Sequence, residues 1–377
     1  MAEFLQALTG LLRPEVWLLV LIGSAIGYLV GIMPGIPNVT AIALLTPVGL
    51  FLKADIALYF YASILGASNV GGAATAILMR IPAHAGNITS IFDGFELTKR
   101  GRGAEALTIS AVASGLGALL SVAAIVALFP VAQQLVLLFG PAEKFWLVTL
   151  GVVIVPFLSG ADWLKGLTAA CLGVVLAFIG RSIVTGQDRY TFGTVYLSGG
   201  LNLAVFLGVG VFALAPVIQM MQAPQRAIAQ DAGNLRLEQL WTGTLYVLRR
   251  PLAVLRGSLI GIVIGLIPGF GPLTASFASY VTERSVSKTP ELFGKGIPDG
   301  VLAPEAASNS TEGGALIPLL FLGIPSKIET AVLLGVLIMY GVQPGPLMLR
   351  EHPEVFWALL LGLIVSNAIV STVGILA

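Results

Sequence analysis

Two short polar phrases interrupt an otherwise apolar chain. Ser68-Asn69 runs into Gly71-Gly72, and Ser308-Asn309, with Thr311, runs into Gly313-Gly314. Hydroxyl and amide groups can hydrogen-bond a carboxylate without bringing a fixed charge into an apolar interior. If each glycine pair opens a helix, free N–H groups and the positive end of the helix dipole add further donors for an anion. Capping and helix-to-helix hydrogen bonding account for the same residues without any ligand. Recurrence of the phrase in both parts of the chain favours a site shared between them.

A second recurring phrase suits a cation. Pro34-Gly35 precedes Asn38 and Thr40, and Pro268-Gly269 precedes Thr274. Proline removes a backbone donor and clashes with the preceding turn. Each phrase should therefore unwind a helix and free carbonyl oxygens, the ligands that hard cations take. Charged residues nearby are few, so each is informative. Glu305 and Glu312 flank the second polar phrase and could relay protons, ligate a cation or lie at the water interface. Arg80 and His84 follow the first phrase, Arg80 as a carboxylate partner or a helix-end charge. Lys327 and Glu329 occupy the matching region of the second and could pair with each other.

A catalytic reading would have to draw on Glu305, Glu312 and His84 alone. No phosphate-binding loop, nucleophile elbow or His-Glu-x-x-His zinc motif is present. One cysteine, Cys171, and two distant histidines, His84 and His352, leave no material for a disulfide framework or a Cys/His metal site. The chain reads as neither an enzyme nor a metalloprotein, needing no cofactor beyond a coupling Na⁺ or H⁺.

The elements that must position these residues are membrane helices. Hydrophobic residues make up 56% of the 377 positions and charged residues 10%, against about 25% charged in soluble domains. Mean hydropathy is +0.94, and a net charge of +1 gives no footprint for nucleic acid. Apolar runs long enough to span or half-span a bilayer cover roughly 16–33, 56–79, 106–129, 143–159, 163–180, 199–221, 252–267, 300–322 and 355–377. Shorter runs at 39–52, 271–281 and 328–341 suit re-entrant or broken helices. The first run follows only one basic residue, Arg13, and carries the Pro-Gly phrase, so it reads as structure and not as a cleaved leader.

The duplication extends beyond the phrases. Gly23, Gly27, Gly31 and Gly35 recur as Gly257, Gly261, Gly265 and Gly269, 234 positions on. Glycines at four-residue spacing leave one helix face bare for close packing. Ile81-Pro82 recurs as Ile324-Pro325. The stretch between the copies holds the longest polar loop, with Arg226, Arg236, Arg249 and Arg250, which the positive-inside rule places on the cytoplasmic side. Mixed apolar and polar residues over 234–248 suit a helix lying in the membrane interface. The chain divides into a first membrane half over 1–221, a connector over 222–251 and a second half over 252–377. Gly- and Pro-interrupted segments at corresponding places in two halves mark the binding site of a secondary transporter.

Longer strings carry a resemblance. They are Gly31-Ile32-Met33-Pro34-Gly35 with Gly265-Leu266-Ile267-Pro268-Gly269, Asp93-Gly94, Arg100-Gly101-Arg102-Gly103-Ala104 and Phe293-Gly294-Lys295-Gly296. The longest is Ala303-Pro304-Glu305-Ala306-Ala307-Ser308-Asn309, running on to Gly313-Gly314-Ala315-Leu316-Ile317-Pro318, and Gly341-Val342-Gln343-Pro344-Gly345-Pro346 completes the set. In these strings the chain resembles the large membrane subunit of the tripartite tricarboxylate transporters, the TctA family. The resemblance implies a permease of the bacterial inner membrane that works with a small membrane subunit and a periplasmic solute-binding protein. It implies uptake of an organic di- or tricarboxylate driven by an ion gradient, and further spans beyond Ala377. The chain departs from the family's usual pattern at Ser68-Asn69, at Arg80 and Ala83-His84 around the first Ile-Pro, and at Ser326-Lys327 after the second, beside the expected site.

These readings combine into one expectation: an all-α polytopic membrane protein of two related halves with broken or re-entrant helices, arranged as inverted repeats. Ser68, Asn69, Gly71, Gly72, Ser308, Asn309, Thr311, Gly313 and Gly314 are the expected solute contacts. Pro34, Gly35, Asn38, Thr40, Pro268, Gly269 and Thr274 are the expected cation contacts. A stand-alone carboxylate channel or exporter is the competing reading.

Overall fold

The computed structural model describes residues 2–33, 36, 38–49, 51–138, 163–182, 237–345 and 348–376, scattered positions in 140–149 and 185–198, and residue 218. Most of the apolar runs 143–159 and 199–221, and residues 222–236 of the connector, lie outside the described residues.

The described chain is almost wholly helical. The first part holds α1 (Ala2–Leu11), α2 (Pro14–Ile32), α3 (Asn38–Gly49), α4 (Ala54–Met79), a single 3-10 turn at Ala85–Asn87, α5 (Ser90–Lys99), α6 (Gly103–Leu138) and α7 (Trp163–Ala177). The later part holds α8 (Leu237–Leu248), α9 (Pro251–Leu266), α10 (Pro272–Val286), α11 (Asp299–Leu322), α12 (Ile328–Met339), α13 (Met348–Glu351) and α14 (Pro353–Leu376). The described strands are β1 (Gly180–Arg181) and β2 (Asp188–Arg189), paired antiparallel.

Among the described residues four helical stretches, Pro14–Ile32, Ile56–Met79, Gly103–Val131 and Pro353–Gly374, are long and apolar enough to cross a membrane. The short runs 39–52, 271–281 and 328–341 form the short helices α3, α10 and α12. Helices α3 and α12 have 12 residues each, about 18 Å at 1.5 Å per residue and well short of the roughly 30 Å of hydrocarbon. Each follows a break: α3 follows the first Pro-Gly phrase, and α12 follows the turn at Ile324-Pro325.

Helix α11 has the length of a span, 24 residues, but not the composition. It carries Asp299, Glu305 and Glu312 and is nevertheless buried from Asp299 through Phe321. It can be polar because α6, α9 and α10 surround it and keep it from lipid.

The glycine ladders explain how the two main helix pairs form. Helix α2 packs along α4, and α9 along α11. A Cβ at Gly23, Gly27 or Gly31 would lie 2.8, 2.4 or 2.1 Å from the carbonyl oxygens of Phe60, Ile64 and Ser68. At Gly257, Gly261 and Gly265 it would lie 2.5, 2.2 and 2.7 Å from those of Ala303, Ala307 and Thr311. In both pairs the glycine face comes up against the partner's backbone, and a side chain added at these glycines would not fit. Helices α4 and α11 also end alike, on left-handed residues, Arg80 (φ 59°) and Gly323 (φ 73°).

These contacts correct the expected register of the repeat. Partner carbonyls such as Phe60 and Ala303 are separated by 243 positions, and so are Asn69 and Glu312. Asn69 and Asn309 are separated by 240. Ser68-Asn69 therefore corresponds to Thr311-Glu312, not to Ser308-Asn309. The similar letters one turn earlier misled the alignment; the glycine contacts decide it. Gly71 and Gly314 fit the same rule, with would-be Cβ atoms 2.4 Å from Tyr28 O and 2.6 Å from Ile262 O.

The halves interlock. The turn at Ala85–Asn87 sits on α10 and α11, and α3 sits on α12. A Cβ at Gly86 would lie 2.0 Å from Ser308 Oγ and 2.9 Å from Pro272 Cβ. The connector helix α8 lies against α6, with Gly243 above Glu105 and Thr108 and with Trp241 exposed.

Replacing Gly261 by valine should lower stability by roughly 1–3 kcal/mol or more, because the obstructing atoms include, beside Ser310 Oγ, the Ala307 carbonyl, which is backbone and cannot turn away. Gly173→Ala, with nothing within 4 Å of the added carbon among the described residues, should not lower it. Thermal unfolding of the two purified variants in detergent checks this; equal midpoints would contradict the packing account.

Candidate functional site

Helices α4 and α11 meet at a polar contact buried within the protein. Asn69 Nδ2 donates to Asn309 Oδ1 at 3.4 Å and to Glu312 Oε1 at 3.3 Å. Asn309 Nδ2 donates in turn to Asn367 Oδ1 of α14 at 2.5 Å and to the Ser114 carbonyl of α6 at 2.8 Å. Asn367 is held by its own bond to Leu363 O at 2.9 Å. Lys327, from the break before α12, places Nζ 2.5 Å from Glu312 Oε1. Lysine and glutamate are 7% and 2% exposed, which makes this a buried ion pair. The expected pairing of Lys327 with Glu329 is thus replaced by one with Glu312. Buried His84 lies close enough to feel the charges of both Lys327 and Glu329.

The 243-position offset gives this contact a two-fold character. Asn69 and Glu312 are equivalent residues, and they touch. His84 and Lys327 are equivalent by the same offset and flank the contact. One half supplies neutral or weakly basic groups where the other supplies a full charge. The asymmetry leaves the site with one glutamate and one lysine for any ligand to compete with.

The expected glycine donors are not available. Gly71, Gly72, Gly313 and Gly314 lie inside α4 and α11, not at helix starts. Interior N–H groups are taken by the carbonyl one turn back. These glycines provide space instead: a Cβ at Gly72 would lie 2.5 Å from Asn87 Oδ1, and one at Gly313 would lie 2.2 Å from Ser121 Oγ. Ser68 and Thr311 turn their hydroxyls onto the carbonyls of Leu65 and Ser308 in their own helices. The buried Ser308 hydroxyl has no hydrogen-bond partner among the described residues.

The expected cation ligands are divided. Pro34 and Gly35 lie outside the described residues. Asn38 and Thr40 are buried at the start of α3. Gly269 and Thr274 are exposed, and Gly269 (φ 82°) donates its N–H to Ser326 O at 2.8 Å. The second Pro-Gly break is therefore tied to the second Ile-Pro break. Arg80 is exposed and lies over the Phe95 ring at 5.8 Å, the helix-end reading.

A second buried carboxylate sits two turns earlier on α11. Glu305 accepts from Asn87 Nδ2 at 3.0 and 3.2 Å, from Ser114 Oγ at 3.2 Å and from the Ser90 hydroxyl. Among the described residues no group of three or more His, Cys, Asp or Glu is placed to hold a metal ion.

Residues 17–377 match the family described as the tripartite tricarboxylate transporter TctA family. The chain belongs to the TctA family. The chain is also similar to two curated proteins from Agrobacterium vitis. One, an uncharacterized 52.8 kDa protein in the TAR-I ttuC' 3' region, is 33% identical over 92% of this chain and 68% of its own length. The other, an uncharacterized protein in the TAR-II ttuC' 3' region, is 40% identical over 28% of this chain and 44% of its own length. No solved structure matches the chain. TctA membership and the apolar helices make this a multi-pass membrane protein and point to a transporter component, not an enzyme.

The structure gives several TctA-family strings a mechanical role. Buried Asp93 accepts from Tyr280 Oη at 2.8 Å and from the N–H groups of Gly294, Gly296 and Ile297 at 3.1, 2.7 and 2.9 Å. Gly294 and Gly296 take φ of 80° and 87°, which only glycine adopts easily, so three N–H groups can converge on one carboxylate. Arg100 donates to the Lys295 carbonyl beside it at 2.5 Å. Asp93, Asn87, Ser90, Ser114, Asn367 and Lys327 were missed as site or support residues by sequence reasoning. Lys327 had a usable signal in its 243-position spacing from His84, and Asp93 in the Asp93-Gly94 string.

Lys327→Met should destabilise the protein by roughly 3–5 kcal/mol, because Glu312 is left buried and unpaired. Adding Glu312→Gln should recover much of that loss. Denaturation of the single and double variants measures the coupling; strictly additive losses would show that the pair is not a unit.

Proposed function

We propose that this chain is the large permease subunit of a tripartite, binding-protein-dependent secondary transporter. It imports an organic di- or tricarboxylate across the bacterial inner membrane, driven by a cation gradient. A periplasmic solute-binding protein delivers the solute, and a small membrane subunit accompanies the permease. The observation that carries this reading is the buried contact between α4 and α11, where Asn69 meets Glu312 and Asn309 and where Lys327 stands beside Glu312.

A solute carboxylate entering there would compete with Glu312 for the Lys327 ammonium. The Asn69 and Asn309 amides and the Ser308 hydroxyl would orient it; Ser68 and Thr311 contribute by shaping the helix turns. Side chains thus take the part that sequence reasoning gave to glycine N–H groups. The halves act as inverted repeats, an arrangement suited to a site near the bilayer midplane bounded by broken helices on both sides. Family membership supports the transport class, and the equivalence of Asn69 with Glu312 supports the shared location.

The test is uptake of labelled di- and tricarboxylates by proteoliposomes holding the large and small subunits, with the binding protein added or omitted. Uptake should require the binding protein. Asn69→Ala and Asn309→Ala should each slow it roughly tenfold, the equivalent of one good hydrogen bond lost in the transition state. Equal uptake without the binding protein would replace this reading by a stand-alone channel or exporter. Unchanged kinetics in both variants would move the solute site elsewhere.

A further inference from the structure

Two glutamates lie on α11, and the protein treats them in opposite ways. Glu312 faces the Lys327 ammonium. Glu305 is as deeply buried and, among the described residues, is hydrogen-bonded to neutral groups, the Asn87 amide and the hydroxyls of Ser90 and Ser114. An ionised carboxylate out of water and without a counter-charge is strongly disfavoured.

Charged groups on the elements around it are committed elsewhere. Asp93 of α5 holds Tyr280 and three N–H groups. Glu105 of α6 pairs with Arg102, Glu283 of α10 with Arg256 of α9, and Asp299 of α11 with Arg250. His84, just before the 3-10 turn, accepts from Gly86 N through Nδ1. Helices α4 and α14 carry no charged residue over 56–79 and 355–376.

The composition of the cradle is informative. A hydroxyl can turn either to donate to a carboxylate or to accept from a carboxylic acid. Ser90 and Ser114 can therefore satisfy Glu305 in both states, which an ammonium could not do. Ser114 also joins the two centres: its hydroxyl bonds Glu305, and its carbonyl accepts from Asn309 of the α4–α11 contact at 2.8 Å. The cradle bridges the halves as well, since Asn87, Ser90 and Ser114 belong to the first and Glu305 to the second.

We propose that Glu305 binds and releases one proton in each transport cycle, so that the coupling ion is H⁺. This rests on the transporter reading above and names its driving ion. The Glu305 carboxylate takes up H⁺ on the outer side and becomes the neutral acid. On the inner side the O–H bond breaks, H⁺ leaves and the carboxylate is restored. No other bond changes. The charge on Glu305 alters the contact between the halves and, through Ser114, the position of Asn309.

Two measurements on the purified complex test this. Infrared spectra of wild type and Glu305→Gln should differ at neutral pH by the carbonyl stretch of one protonated carboxyl. The wild-type band should vanish in alkali, a titration that needs no variant. In proteoliposomes a pH gradient should drive wild-type accumulation. Glu305→Gln, which mimics the neutral acid, should lose accumulation while still exchanging labelled for unlabelled solute. A missing infrared difference overturns the proposal. So does wild-type accumulation that follows a Na⁺ gradient and ignores pH, or a Glu305→Gln variant that accumulates normally. A wild type that moves no carboxylate overturns the transporter reading instead, and the infrared band then decides alone whether Glu305 holds a proton.

Discussion

Two helices in hydrocarbon gain little by burying leucines against each other, because lipid tails are equally apolar. They associate where their backbones can approach closely. This protein meets that requirement twice, with Gly23, Gly27 and Gly31 against α4 and Gly257, Gly261 and Gly265 against α11. The rest of the architecture depends on those seams. They leave α11 surrounded by protein, and only a helix shielded in this way can carry Glu305, Asn309 and Glu312 in its interior. Without the seams the same residues would face lipid, where polar groups have no partners.

Much of the helical framework was legible from the chain. Glycine spacing identified the packing faces and run lengths the helices, while the prolines were ambiguous: Pro268 follows the end of α9, but Pro47, Pro130, Pro304 and Pro318 lie inside helices. These features are local, so a linear reading reaches them. Which residues meet across the centre was less accessible. The resemblance of Ser68-Asn69 to Ser308-Asn309 suggested an equivalence that is wrong by one turn. Register in a helix pair is decided by which carbonyl each glycine faces, and letters alone do not carry that information. The Gly71-Gly72 and Gly313-Gly314 pairs were misread for a related reason. Glycine serves equally at a helix end and in a tight seam, and only the neighbours distinguish the two uses.

The buried polar groups show a division of labour that the sequence did not reveal. Glu305, Glu312 and Asp93 are all carboxylates with almost no exposure. One is surrounded by neutral donors, one by an ammonium and one by main-chain N–H groups. Their partners come from segments about 15 to more than 200 positions away. Such partnerships follow from tertiary folding, which explains why Asn87, Ser90 and Ser114 drew no attention as isolated letters.

The Asp93 contact has a mechanical corollary. One carboxylate gathers a phenol and three amides from α10 and the loop before α11, and the first half supplies the carboxylate. Any displacement of one half past the other at that corner would break four bonds together. Bonds that must break together make that corner resist displacement, so the carboxylate works as a clamp between α5 and the segment that leads into α11.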